Sequence, residues 1–543
     1  MQDYREVLPS NTVQEARDIW NNSLNTLRST HAGEAFPTEN LVLGMKCFRS
    51  DEKKTYTLVS LDPVEWKVEA AGKEKLDREE IASRLEFMAA LSSDLLKRIP
   101  DWTGVFNRAL SLELVDFADF GTGWNVTNMS MLFHECMSLT AVLNFKIPQE
   151  CPVKDVHGMF SKCTKLSALD AAGFQAKNVE DFVDMFSDCH ELSVLDVSKW
   201  QMGRAINMRG MFRNCWKLES LDVSKWDVSK CTNFAEMFAG CRRVCRLDFT
   251  AWDTSKAKAM GGMFQGCGNE TVPFVPLKLD LTMLDISNVE TTVNMFAYAR
   301  AELTIGEKMR KTGKCKHMEG MFYRFNNLGD VVIAGAGYNP AVMATDYRGT
   351  PCKQTIFTAF DYASVENMSG MFEGTYTENC EIDGKKGLVF HVSTPNVTDI
   401  SNLFASSYGA AFIDFSMNMG HVCDIRYLFN TVPAESIRLR NFDTRNVGSY
   451  KEHVGHSYVQ HSLDTDMFKN CRNLRYLIID STQFIFKLTE DILADLPAEC
   501  RFVVPRAMIQ TYKAQNIWKD YASRFIAMED CRLYGAYVKS APA

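Results

Sequence analysis

Apolar residues in the middle of the chain recur on a fixed period. The phenylalanine of a Met-Phe pair returns as Phe160, Phe186, Phe212, Phe238 and Phe264, each 26 residues after the last. Within one period two local patterns alternate. Met208, Met211, Phe212 and Cys215 stand at i, i+3, i+4 and i+7, a spacing that predicts one face of a helix of about two turns with Asn207 as its N-cap. Leu218, Leu221 and Val223 follow with polar Asp222 between the last two, which predicts a short strand. Asp-Val-Ser-Lys-Trp, at 196–200 and again at 222–226, then turns the chain. A helix and a strand this short cannot each bury an apolar face alone, so successive units must stack as a solenoid.

The marker continues through Phe133, Phe160, Phe186, Phe212, Phe238, Phe264, Phe296, Phe322, Phe372, Phe404, Phe429 and Phe468. The expected fold is α/β: a solenoid of about 12 short helix-plus-strand units over 100–485. Where the interval stretches, the surplus must leave as loops, and 329–360 and 434–464 are the richest. Upstream, residues 1–70 read as a small α+β module. It has a helix over 11–28, a hairpin of Gly44–Arg49 and Lys54–Val59 around Ser50–Lys53, and a third strand at Trp66 and Val68. Residues 71–99 hold the longest helical pattern, with Leu76, Ile81, Leu85, Met88, Leu91 and Leu95 as its stripe; it either caps the solenoid or joins subunits. Helices over Leu488–Leu496 and Pro505–Met528 are expected to form a helical C-terminal cap over 486–543.

Charge and cysteine usage narrow the function classes. A net charge of -8 spread along 543 residues disfavours a nucleic-acid binder. Among 17 cysteines, Cys136, Cys163, Cys189, Cys215, Cys241, Cys267 and Cys471 share one repeat position, which fits a small buried hydrophobe better than half of a disulfide. No apolar targeting region opens the chain and no run reaches spanning length, so neither signal-peptide secretion nor a membrane anchor is expected. Nucleophile elbows, phosphate loops, dinucleotide fingerprints and zinc spacings do not occur, so no catalytic residue, metal ligand or cofactor is assigned and a non-enzymatic role is expected.

Leu-Asp-Val-Ser-Lys-Trp followed by Asn-Met-x-x-Met-Phe-x-x-Cys-x-x-Leu resembles the bacterial surface-antigen (BspA-like) type of leucine-rich repeat, over about two thirds of the chain. Val504-Pro505, Tyr512-Lys513, Trp518 and Tyr521 are similar to the closing segment of that family. The resemblance implies a binding surface or adhesin. A second resemblance concerns Asn11–Arg17, Ala35–Thr38 and Leu43–Tyr56, which look like the N-terminal module of tailed-bacteriophage fibres and appendages. It implies a virion protein made in the host bacterial cytoplasm, attached to other phage proteins through its N-terminal module and presenting the repeats to a bacterial surface protein or glycan. Such proteins are homo-oligomers, commonly trimers; neither nucleic acid nor membrane is an expected partner. The other readings are a purely structural virion component and a bacterial or protist surface adhesin.

Two groups are candidate binding residues. The insertion at 434–464 carries Tyr450, His453, His456, Tyr458 and His461, a polar aromatic loop suited to receptor contact. Trp200, Trp226 and Trp252 repeat every 26 residues; they are expected to pack as a structural ladder, the other reading being an aromatic strip for sugar rings. Phe186, Phe212, Phe238 and Phe264 with Cys189, Cys215, Cys241 and Cys267 are the expected repeat core. Asp170, Asp196, Asp222, Asp248 and Asp285 are expected to cap turns rather than hold a cation.

Overall fold

The computed structural model describes 126–268, 277–325, 360–448 and 466–533 apart from scattered positions, with short pieces within 102–116. For strands within 46–87 and at 332–333, 451–460 and 536–537 it describes essentially the backbone alone. The chain is a β-solenoid of about 12 turns divided into two compact units: Met1–Lys256 with Cys267–Leu277, and Ala257–Gly266 with Lys278–Ala543.

The helix expected in every coil is instead a pair of tight turns. In the coil of Phe212, the amides of Met211 and Cys215 donate to the carbonyls of Met208 and Phe212, closing two successive four-residue turns. Their third residues, Gly210 and Asn214, have φ of 61° and 57°. Turn ends point inward and turn tips outward, so Met208, Met211, Phe212 and Cys215 are all buried. The i, i+3, i+4, i+7 spacing therefore suits two consecutive turns as well as a helix. What decides is the hydrogen bonding. The amides of Met208, Gly210, Phe212 and Asn214 donate to Asn233, Ala235, Met237 and Ala239 in the next coil, at 2.7–2.9 Å. A lone helix of eight residues would satisfy few of its own amides and is costly to nucleate; stacked turns satisfy them coil by coil.

In the first unit the rings of Phe106, Phe133, Phe160, Phe186, Phe212 and Phe238 stack at 5.0–5.8 Å and within 12° of parallel. The ladder thus starts one coil before the sequence markers. The second unit repeats it from Phe264 through Phe296, Phe322, Phe372, Phe404 and Phe429 to Phe468, at 5.3–6.1 Å. Phe322 and Phe372 lie 5.9 Å apart although 50 residues separate them, so the stack continues unbroken across the long interval. The later insertion is shorter than expected: Ser436–Arg440 is a fully buried strand of the stack, and the outlying piece is the hairpin Lys451–Val454 with Ser457–Gln460.

The strand side is a string of short ladders in the first unit: Leu114–Asp116, Ala141–Leu143 and Ala168–Leu169 pair in parallel. In the second unit it widens to a sheet ordered Cys380–Ile382, Lys385–His391, Phe412–Ser416, Ser436–Arg440, Tyr476–Asp480, Arg501–Val504 and Phe525–Ala527, parallel except for the first pair. The last two strands extend the stack past the final Phe marker. The long helix expected over Pro505–Met528 is broken into Arg506–Met508, Ile509–Lys513 and Trp518–Arg524, followed by the strand Phe525–Ala527. Its aromatic residues serve packing: Trp518 lies against Phe502, Tyr512 and Phe525 at 5.0–5.6 Å. Val389, Phe412, Ile478 and Val503 on the sheet's outer face are covered by Met528, Cys531 and Leu533.

Near the N-terminus, Lys46–Arg49 and Lys54–Leu58 form the expected hairpin, and Val68–Ala70 adds a third strand. Lys75–Leu76 and Glu86–Phe87 are strands of the same sheet, so the continuous helix expected over 73–99 is not formed at those positions. The helix expected over 11–28 lies outside the described residues, as does most of 488–496, of which Ile492 and Leu493 are helical.

Candidate recognition surface

Trp200, Trp226 and Trp252 are buried and stack at 6.3 and 6.4 Å. Each indole Nε1 donates to a carbonyl one coil back, Ala171, Val197 and Val223, at 3.0–3.1 Å. A ring face enclosed in this way offers a sugar no access. The repeat cysteines are equally internal. The thiols of Cys189, Cys215, Cys241 and Cys267 donate to the carbonyls of Phe160, Phe186, Phe212 and Phe238. Burial pushes the Cys241 thiol up to about 12. Asp196, Asp222, Asp248 and Asp285 each accept the amide two residues on, at 2.9–3.1 Å. The Ser198 hydroxyl and amide hold the Asp196 carboxyl below its ordinary range. These rows are turn hardware, not ligands for a shared ion.

Of the loop residues, His453 and Tyr458 face each other across the antiparallel hairpin. Tyr450, His456 and His461 lie outside the described residues. Among the described residues no group of His, Cys, Asp or Glu is placed to hold a metal ion, and no helix is long and apolar enough to cross a membrane.

Most rings that reach the surface stand at turn tips just after the core phenylalanine; Tyr427, two residues before Phe429, is also exposed. In the first unit, His190, Trp216 and Arg242 occupy the same position of three successive coils. His190 stacks on Trp216 at 3.6 Å and 3°, and the Arg242 guanidinium covers Trp216 at 4.7 Å from the ring centre. Burial lowers the His190 pKa, which favours a neutral imidazole and a stack with one cation, not two. Trp216 keeps 36% of its surface exposed, at its edge.

The second unit carries a longer strip. Tyr298 and Tyr323 meet edge to face at 5.1 Å, with Arg324 within 6 Å of both ring centres. One coil on, Gly374 lies against the Arg324 side chain: a Cβ there would be 2.8 Å from Arg324 Cγ. Tyr376 and Tyr408 meet edge to face at 5.4 Å in the next two coils. Tyr376 donates to Glu378, which Lys386 also binds at 2.8 Å. Tyr298 and Tyr408 are 44% and 46% exposed. Burial, then a hydrogen bond with Tyr298, raises the Tyr323 pKa, so the Tyr323 phenol stays protonated at neutral pH. Burial raises the Glu373 pKa, against the opposing charge of Arg324.

Sequence reasoning missed this strip because its residues drift among the first, second and fourth positions after Phe296, Phe322, Phe372 and Phe404. The available signal was that tyrosine recurs in that window in all four coils. Such tips rest on a frame with a hydrogen bond between coils at every second residue, so they are held without support from the partner. Tyr, Trp and Arg are the side chains enriched in protein recognition surfaces.

A repeat solenoid built this way matches a known sequence family. The family described as "Mycoplasma protein of unknown function, DUF285" matches residues 100–220, 206–332 and 343–465, together about two thirds of the chain, and the chain belongs to it. No curated protein matches. Among solved structures, a leucine rich cell surface protein of Faecalibacterium prausnitzii is similar over 68% of this chain and 84% of its own, at 11% identity and a TM-score of 0.26.

Proposed function

We propose that this is a non-enzymatic recognition protein, an adhesin displayed at a microbial surface, whose turn-tip strips bind a protein or glycan on another cell. One observation carries the reading. In four successive coils a tyrosine, Tyr298, Tyr323, Tyr376 and Tyr408, stands exposed or half-buried within four residues after the core phenylalanine, with exposed Arg324 beside the first two, while the tryptophans that repeat most regularly are enclosed. The reading of the chain as a virion appendage rests on residues 11–56 alone, upstream of the family match, which begins at 100. A test is antibody labelling of intact cells of the source organism and of any particles they release, together with binding of the labelled chain to bacterial and host cells. Label on intact cells with saturable binding supports the adhesin. Label confined to purified virions moves the same surface to the virion reading. No saturable binding to any cell removes recognition altogether.

A further inference from the structure

Several guanidinium groups of the second unit are paired with carboxylates. Arg438 is bound to Asp480, Arg440 to Asp414, Arg426 to Asp424, Arg445 to Asp443 and Arg506 to Asp530. Three arginines outside these pairs converge. Arg472, Arg475 and Arg501 line one half-open groove of about 700 Å³ at the start of the last strands. Among the described residues none of the three has a carboxylate within salt-bridge distance; Arg501 donates instead to the Ser523 carbonyl at 3.2 Å.

The stack itself gathers them. The Arg475 amide donates to the Glu435 carbonyl at 2.8 Å and the Arg501 amide to the Arg475 carbonyl at 2.7 Å, so three successive coils deliver Glu435, Arg475 and Arg501 to one edge. Tyr476 stands opposite Arg501 in the parallel pairing, and Arg472 comes from the turn just before. Two carboxylates share the wall. Glu435 is held by Lys385 at 2.9 Å, which leaves Glu499 as the counter-charge to three guanidinium groups. On a chain of net charge -8 this is a local excess of positive charge, and like charges gathered this closely repel.

We propose that this groove binds an acidic glycan, a sugar polymer bearing carboxylate, sulfate or phosphate. Guanidinium forks match such oxyanions bidentately. Asn473 and the phenol of Tyr476 suit sugar hydroxyls, and the apolar surface offered is chiefly the flat faces of Pro433 and Pro497 with the Tyr476 ring. A peptide ligand would need apolar side-chain pockets, which this mostly polar wall lacks. No residue lining the groove belongs to the tyrosine strip, so each can be substituted without touching the other's side chains.

The test is calorimetry of the full chain at physiological salt with polygalacturonate, dextran sulfate, a glycerol-phosphate polymer, neutral dextran and polyglutamate. The expected result is binding of at least one acidic glycan and none of neutral dextran, and the three acidic polymers separate carboxylate, sulfate and phosphate. Loss of one charge-assisted contact weakens binding about tenfold, so Arg475→Gln and Arg501→Gln should each do so. Glu499→Gln, which removes an exposed carboxylate and keeps the fold, should strengthen binding. Lys225→Gln, exposed in the first unit, should change nothing. Polyglutamate binding as tightly as the best glycan, indifference to all three groove substitutions, or no binding of any acidic glycan would overturn the proposal.

Discussion

Replacing Asp414 with Asn should unfasten the outer face of the second unit's sheet. Asp414 is fully buried and accepts from His391 Nε2 at 3.0 Å and Arg440 Nε at 2.7 Å, with Arg438 Nη1 3.7 Å away. Arg438 is bound in turn to Asp480. Two arginines and two aspartates therefore balance in a space that excludes water. Asp414→Asn leaves two buried cations against one anion, a change that costs about 3 to 5 kcal/mol. Removing Asp414 and Arg440 together, as a Leu/Leu pair, leaves Arg438 with Asp480 and should cost less than the single substitution, because a matched buried pair returns little net stability. The readout is native-state hydrogen exchange in Phe412–Ser416 and Ser436–Arg440, where protection should fall by about two to four orders of magnitude in the single variant. pH gives a second handle. Burial by itself would raise the Asp414 pKa, but hydrogen bonds from His391 and Arg440 and the charges of Arg438 and Arg440 outweigh it and hold the carboxyl well below the ordinary range. A depressed carboxyl contributes stability above its unfolded pKa of about 3.9 and loses it as pH falls through the folded value. The gap between wild type and Asp414→Asn should thus be full near pH 6, begin to narrow below about pH 4 and close only as the pH falls through the folded value. A single variant within about 1 kcal/mol of wild type at pH 7 would refute the charge balance drawn here.

Other substitutions test the coil itself. Gly210 has φ of 61°, and an added Cβ would collide with Asp184 Oδ1 of the preceding coil, so Gly210→Ala should lower first-unit stability by about 1 to 3 kcal/mol in denaturant melts, with partial recovery in Gly210→Ala/Asp184→Gly. Cys189, Cys215 and Cys241 should resist iodoacetamide at pH 8 in the native protein while half-buried Cys245, Cys380 and Cys423 react, as read by peptide mass spectrometry. Trp226→Phe keeps the ring stack and removes the indole donor from the Val197 carbonyl, which the Trp200 amide still reaches at 3.0 Å, and should cost about 0.5 to 1.5 kcal/mol by the same melts.

The repeat was legible because a period of 26 residues and an inward Met, Phe and Cys are fixed by stacking. Secondary structure within the repeat was not, since helix and paired turns bury the same four positions. The distinguishing marks are Gly, Asn and Asp two residues either side of the core phenylalanine, as at Asp184, Asp188, Gly210 and Asn214, which take positive φ and make paired turns cheap. Repetition also makes Trp200, Trp226 and Trp252 legible as a structural ladder, because strict repetition is what packing demands and an exposed site does not. The exposed tyrosines vary in position from coil to coil for the converse reason. Nor could sequence foresee the groove of Arg472, Arg475 and Arg501, whose lining comes from four separate segments brought together by strand register.

Recognition through the turn tips is tested most directly by binding of the fluorescent full chain to a cell panel, wild type against Tyr298→Ser/Tyr323→Ser/Tyr408→Ser, with matched thermal unfolding of both. These side chains are exposed or half-buried, so the variant should fold. A fall in affinity of tenfold or more with unfolding unchanged is the result the account predicts. Equal binding by a folded variant would show that cells are engaged elsewhere on the molecule and that the strip is ordinary surface.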